Sequence, residues 1–526
     1  DPRRSETAYH ADLFLQPLPG RDAAIAAALI RVILTEGWND EAFTATYVGA
    51  DRMLQLRLAV EPFTPEFVEH CAGLTPGQIR AAAQLFARDC RTGAAYASTG
   101  PSMAPFSNLM QHFVDGLNII CGRFRRAGDR AVVDMVAAER FVHAEVIGPP
   151  RSWQAVSPSR IRGVGCLGGE KLSSTLAEEI LTPGADQIRC LIVAGGNPAA
   201  TVPDQRRIVE ALQSLDLLVV IDPWLTATAQ LAHYVLPPRM QYERADLPVS
   251  VPGFPLYPDS WGQYAPAALT PPPGSDVVEE WYVFWALARR LGVQIVYNGV
   301  ALDMSRTPTA EELFAIRLAA APVTFDELKQ YPSGKVFDHP TAIVQAARPE
   351  ATARFDVMPA DVADETTRLH AWLQREGAGP GAGFTHLLST RRMRDVHNST
   401  GNRLDSTLGR IPVNPAYMHS TELAALGLEA GDRIQIASGH GAIDAVAQAD
   451  DHLRRGIVSI AHAWGMLPGD SGPGVNVNLL ISCDTELEPL NAMPRMSAIP
   501  VTVRPLSRSR AEASIESESK ELEHVN

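Results

Sequence analysis

Apolar residues recur at helical spacing through the first third of the chain. The clearest stripe is Ile25, Leu29, Val32 and Ile33, with Asp22 placed to cap the helix and Gly37 to end it. Thr64-Pro65 and Thr75-Pro76 read as two further starts, a capping hydroxyl followed by proline at the first helical position. Ala94 to Ser98, closed by Gly100, reads as a buried strand. Residues 1–151 are therefore expected to form a first α/β lobe in which short strands alternate with amphipathic helices.

A second α/β lobe is expected over residues 152–300. Cys190-Leu191-Ile192-Val193-Ala194 is a continuous apolar run of the kind a parallel strand buried on both faces requires, and it ends in Gly195-Gly196-Asn197-Pro198. Pro203 opens a helix with Ile208, Ala211, Leu212 and Leu215 on one face, and Leu217 to Ile221 follows as a second strand ending at Asp222. The order is that of a βαβ crossover with a glycine turn after its first strand. Residues 252–274 are proline-rich and predicted to wrap a surface, 276–292 to return as a helix, and 301–383 to connect, with helical pieces at 310–319 and 366–374. From 384 to 505 the pattern changes to short strands. Ile434 and Ile436 alternate inward, Gly439-His440-Gly441 turns the chain into residues 442–447, and Ile457 to Ala461 follows Gly456, a compact β domain. Residues 506–526 are almost wholly polar and expected to be disordered.

An internal repeat gives the two α/β regions a common meaning. Asp1 to Leu15 aligns without gaps on Asp222 to Leu236, with Asp, Pro, Thr, Ala, Ala and the final Leu identical. The second copy starts at the tip of the strand after the glycine turn, where dinucleotide-binding folds place an acid against the nucleoside while backbone N–H groups of the turn hold phosphate. Gly-Gly-Asn-Pro by itself is a common plain turn and Asp-Pro a common strand end. Their duplication in a βαβ setting points instead to two nucleotides.

Composition narrows the partners. The chain has 526 residues and a formal net charge of -14, which repels nucleic acid and anionic membrane surfaces. No apolar run approaches the roughly 20 residues of a membrane span, so none is expected. The six cysteines show no metal-ligand spacing and read as reduced thiols, which favours a cytoplasmic setting.

The segment Asp1 to Ala8 with Ala11-Asp12 resembles the motif that follows a nucleotide-binding strand in the bis-molybdopterin guanine dinucleotide oxidoreductases, the formate dehydrogenase, nitrate reductase and dimethyl sulfoxide reductase type. Ser5 stands where threonine is commoner. Gly195 to Pro198, Asp222 and Ala232-His233-Tyr234-Val235-Leu236-Pro237 resemble the second nucleotide lobe, with His233 in place of an aspartate. Arg391 through His397-Asn398-Ser399, then Asn414-Pro415, Gly427 and Gly431-Asp432, then Gly465 with Asn476-Val477-Asn478, resemble the final barrel in order. The likeness runs from Asp1 to about Val503.

The resemblance implies two dinucleotide-binding-like lobes with parallel sheets and a C-terminal β-barrel of double-psi type. The cofactor it implies is molybdenum bis(molybdopterin guanine dinucleotide), and the reaction a two-electron oxo transfer or formate-type oxidation of a small substrate, with an electron-transfer subunit as a possible partner. It assigns guanosine recognition to Asp1 and Asp222, phosphate contact to Gly195, Gly196 and Asn197, and pterin contact to Arg391, Asn398, Ser399 and Asn478. Thr7 joins the cofactor-binding set. The family's 4Fe-4S cysteines and molybdenum ligand are expected before Asp1, so no metal ligand is assigned, and the chain is read as the C-terminal two-thirds of a longer protein, inactive alone. Two other readings stay open: a metal-free scaffold that retains the fold, and an NAD-type dehydrogenase. The latter has only Gly163-Val164-Gly165-Cys166-Leu167-Gly168 in its favour, with no apolar strand before it. A hydrolase lacks GxSxG or HExxH, and His386, His397, His440 and His462 are read as surface or core histidines.

Overall fold

A computed structural model describes residues 1–90, 92–130, 136, 158–165, 170–247, 260–338, 343–346, 348, 350, 351–377, 379–469 and 474–506. The polar tail from 507 and the last three residues of the Gly163 to Gly168 loop lie outside them.

The first unit is helical, a correction to the α/β expectation: among the described residues before Cys190 no strand forms. Helix Asp22–Thr35 is buried nearly all round, because alanines fill the positions between the predicted stripe and let neighbouring helices approach closely. Ile30, Ile33, Leu56, Phe63, Phe113 and Ile120 form the core around it. Thr64 caps helix Pro65–Ala72 by accepting from the Phe67 amide, as predicted, and left-handed Gly73 ends it. The start expected at Thr75-Pro76 falls at Gln78 instead. There the buried Glu69 carboxylate accepts from the amides of Gly77 and Ile79, a cap from the preceding helix.

Ala94 to Ser98 is extended but half exposed. Its partner is a side chain: the Asn118 amide accepts from Ala95 N–H at 2.7 Å and donates to its carbonyl at 2.9 Å. Helix Ala360–Glu376, placed by the sequence in a connecting region, belongs to this unit, since Leu369 and Leu373 are fully buried in the same core.

The predicted βαβ crossover is present. Strands β1 (Cys190–Ala194), β2 (Leu217–Ile221) and β3 (Tyr234–Leu236) form a parallel sheet in that order, with Ala194 opposite Ile221. Helix Gln205–Ser214 covers one face through Ile208, Ala211 and Leu212, against Leu218 and Val220. The expectation that β1 is buried on both faces does not hold. It is an edge strand among the described residues, and Cys190, Ile192 and Ala194 on its far face are exposed.

The C-terminal strands close into a six-stranded barrel of mixed direction. They are β4 (His386–Arg391), β5 (Ala416–Met418), β6 (Arg433–Ala437), β7 (Ala442–Ala449), β8 (Ile457–Ala461) and β9 (Ile499–Pro505), in the order β6-β7-β5-β8-β4-β9 with β9 returning to β6. Ile434 and Ile436 point inward as predicted, joined by Leu388, Val458, Ile460 and Val501. Asn414 locks the barrel's end: its amide donates to the carbonyls of Ala461 and Val475, each at 2.9 Å, and accepts from Val475 N–H at 2.8 Å.

Asn414 is 1% exposed, so its loss strands two buried carbonyls and an amide. Asn414→Ala is expected to lower stability by on the order of 3 kcal/mol, read as a drop in the denaturant midpoint at unchanged slope. A midpoint within error of the native protein would contradict this account.

Candidate functional site

The carboxyl end of β1, the carboxyl ends of β4 and β8, and the segments around Ser98–Met103 and Met493–Ser497 surround one cleft of about 780 Å³. Brought together on its wall are Gly195, Gly196, Asn197, Arg391, Asn398 and Ser399. Its position beyond the ends of parallel strands is the usual place for a ligand in an α/β sheet.

Gly195 has φ +61°, and no atom lies within 4 Å of where a Cβ would be, so its freedom serves the turn and leaves backbone open to the cleft. Its amide donates to the Ile221 carbonyl at 3.0 Å, which fixes the turn to β2. The Asn197 side-chain oxygen accepts from the amide and hydroxyl of Thr228, at 3.1 and 2.9 Å. Thr228 Oγ1 in turn accepts from Ala199 N–H at 3.0 Å. The Asn197 side-chain carbonyl thus shapes the turn, leaving its NH₂ and the backbone at Gly196 for a ligand.

The internal repeat is also structural. The Asp1 carboxylate accepts from Arg3 N–H at 2.8 Å, and the Asp222 carboxylate accepts from Trp224 N–H at 2.8 Å. Ser5 N–H donates to Arg3 O and Thr226 N–H to Trp224 O, while Ala11 N–H donates to Ala8 O and Ala232 N–H to Ala229 O. Each pair occupies aligned positions. The copies differ in surroundings: Thr228 is fully buried on the glycine turn, whereas its counterpart Thr7 is exposed.

Four expected residues do not line this cleft. Asp222 sits behind the glycine turn, where burial raises its carboxyl above the usual range against the Trp224 amide. Asp1 and Thr7 lie with their segment against the barrel loop at 450–454, through Arg4 N–H to His452 O and Arg454 N–H to Pro2 O. Asn478 is 0% exposed and donates to Ala200 O at 2.8 Å, which joins the barrel to the sheet lobe, while its side-chain oxygen is buried without a hydrogen-bond partner among the described residues.

Arg391 connects the first copy to the cleft. It donates to Asp450 at 3.0 Å, Arg3 donates to the same oxygen at 2.9 Å, and its guanidinium lies 3.9 Å over the Tyr417 ring. Burial pushes the Asp450 carboxyl up, but the hydrogen bonds from Arg3 and Arg391 outweigh it and hold the group below the usual range. Asn398 takes φ +54° in a tight His397–Thr400 hairpin and accepts from Arg392.

His462 and Trp464 also line the cleft, and the sequence reading had set His462 aside. His462 Nδ1 and Trp464 Nε1 are buried without a hydrogen-bond partner among the described residues. Burial, with Arg392 nearby, lowers the His462 pKa to about 4, so the ring is neutral at pH 7. The signal available in the sequence was their place, directly after the largely apolar β8 and before Gly465. Among the described residues no cluster of three or more His, Cys, Asp or Glu could hold a metal ion.

A parallel βαβ lobe faces a closed barrel across this cleft, and the family matches make the protein a molybdopterin oxidoreductase. Residues 1–294 match the molybdopterin oxidoreductase family, residues 386–500 match the molydopterin dinucleotide binding domain, and the chain belongs to that family. It is similar to the alpha subunit of the F420-dependent formate dehydrogenase of Methanocaldococcus jannaschii, 23% identical over 96% of this chain and 71% of that one. It is 24% identical to the acetylene hydratase of Syntrophotalea acetylenica over 94% and 71%. The solved structure of acetylene hydratase from Pelobacter acetylenicus shares the fold, with a TM-score of 0.72, 18% identity and coverage of 96% and 73%. The matched domains support a molybdenum–pterin cofactor in an enzyme. No helix among the described residues is long and apolar enough to cross a membrane.

His462 is neutral when folded down to about pH 4, whereas unfolded histidine takes a proton near pH ~6.5. Between those values the unfolded state binds the extra proton, so stability is lost as pH falls, by up to ~1.4 kcal/mol per pH unit, and the loss levels off below the folded pKa. His462→Gln lacks this component. Melting temperatures of the two proteins are expected to diverge as pH drops through the window, the native protein falling faster; parallel curves would rule out a buried neutral imidazole.

Proposed function

We propose that the cleft holds a molybdenum bis(molybdopterin guanine dinucleotide) and that the protein catalyses a two-electron redox reaction on a small molecule, by oxo transfer or formate-type oxidation. The observation that carries the reading is the duplicated Asp-Pro segment with its matched hydrogen bonds, one copy behind the glycine turn and the other tied to the cleft through Arg3, Asp450 and Arg391. The fit to such a group rests on three features: open backbone at Gly195, the unpartnered buried nitrogens of His462 and Trp464, and the arginine at the wall.

Asp1 and Asp222 would accept from a guanine or ribose, and the backbone N–H of Gly196 with the Asn197 NH₂ would meet phosphate, Gly195 serving by its open turn because its own N–H is held by Ile221 O. Arg391, Asn398 and Ser399 would bind the pterin edge, with Thr7 supporting the first nucleotide. Neutral His462 can accept or donate one hydrogen bond there without a counterion. When bound, the group supplies the electron-pair chemistry, and the chain's residues bind, orient and keep water out. Similarity to a formate dehydrogenase alpha subunit supports an electron-transfer subunit as partner and favours the formate-type reaction, and the free thiols suit a cytoplasmic setting.

Acid release from the purified protein is expected to yield about two guanine nucleotides for about one molybdenum. Asp222→Ala is expected to lower that ratio toward one, with the fold retained by circular dichroism. Native protein free of both molybdenum and guanine nucleotide would favour a metal-free scaffold subunit instead.

A further inference from the structure

A second cleft, of about 410 Å³, lies between the helical unit and the barrel, on the helix Ala360–Glu376 side. Glu365 from that helix and Glu488 from the loop before β9 both line it, each 6% exposed. Each has one carboxylate oxygen buried without a hydrogen-bond partner among the described residues. The other Glu488 oxygen accepts from the Ser107 hydroxyl at 3.3 Å, at the start of helix Ser107–Ile120. Phe106 and Trp372 supply aromatic wall.

Two buried carboxyls with unused oxygens in one cavity are costly in their ionised form, and either a shared proton or a cation seated between them relieves the cost. We propose that this cleft is a binding site for a small primary ammonium compound, its charged head seated between Glu365 and Glu488 and its body along Phe106 and Trp372. An ammonium offers three donors to oxygens that lack partners, and aromatic faces favour a cation beside them. The mouth decides the rest of the ligand. Arg368 and Arg375 are exposed there, and Arg495 is held by Glu486 at 2.6 Å, so a second positive charge is opposed and a neutral or acidic tail is favoured. The site adjoins the cleft at Gly195 through Met493, but neither carboxylate lines that cleft and the proposal does not depend on what it holds.

The carboxyl pair also responds to protons. Burial, and then the charge of Glu488, raise the Glu365 pKa to about 7, with Arg368 opposing and Asp361 adding to the rise; from the loop side, Glu486 and Arg495 are paired with each other. Ammonium binding needs the ionised form, so affinity should rise with pH up to about that value and then level.

Calorimetric titration of the purified protein with ethylammonium, 4-aminobutanoate and 1,4-diaminobutane tests the site. Saturable binding of the first two is expected, with diaminobutane no tighter, a loss of at least about tenfold in Glu365→Gln, and the pH dependence above. Glu365→Gln removes a buried charge and is expected to fold; Glu488→Gln gives the second arm where helix Ser107–Ile120 tolerates it. Absence of saturable heat, unchanged affinity in Glu365→Gln, or affinity that tracks ligand charge and disappears with salt would overturn the proposal. The last pattern is what a chain of net charge -14 produces without any site.

Discussion

The Ala200 carbonyl decides how the two halves of the main cleft meet. It is buried at the base of the turn after β1, and it accepts from both Asn476 at 3.1 Å and Asn478 at 2.8 Å, side chains from the barrel. A buried carbonyl left unpaired costs free energy comparable to a lost hydrogen bond, so the lobe and the barrel fit together only in the registration that supplies those donors. Gln205 reinforces it by donating to Ala199 and to Met466 across the same seam. Arg162 and Arg207 converge on Asp484 at the rim of that contact. The glycine turn and the end of β4 face one another because this seam is polar and directional.

Local features were legible in the sequence, and features that depend on a distant partner were not. The crossover from β1 to β2 and the inward Ile434 and Ile436 follow from periodicity alone. The cap at Thr64 follows from a side chain and its own helix. The repeat was visible because its hydrogen bonds close within a few residues, so the same letters make the same turn. Ala94 to Ser98 carries strand composition, but strand formation needs a neighbouring backbone, and here the neighbour is the Asn118 side chain. The helix Ala360–Glu376 shows its apolar stripe plainly; which core receives it is a matter of topology.

The site followed the same division. Gly195, Gly196 and Asn197 follow the first strand of the crossover, a position the pattern marks, while Arg391, Asn398 and Ser399 on the same wall were reached through the family resemblance. Asn478 was assigned to the ligand by its motif, yet its burial comes from the lobe packed over it, which no local pattern records. His462 presents the converse case. Its chemistry depends on burial at the barrel end with Arg392 nearby, and its place after β8 hints at the barrel end but does not record that burial.

The Arg3–Asp450–Arg391 bridge spans 447 positions of chain between its first two members. A ribosome delivers Arg3 long before Asp450, and at roughly 5–20 residues per second the interval lasts tens of seconds. Throughout that time the Asp1 to Leu15 segment has no loop at 450–454 to rest on. Contacts of such wide separation carry a large closure cost and form late. The Asp1 to Leu15 segment therefore takes its native place only after residues 450–454 have been made, and its half of the repeat is completed by a loop far along the chain.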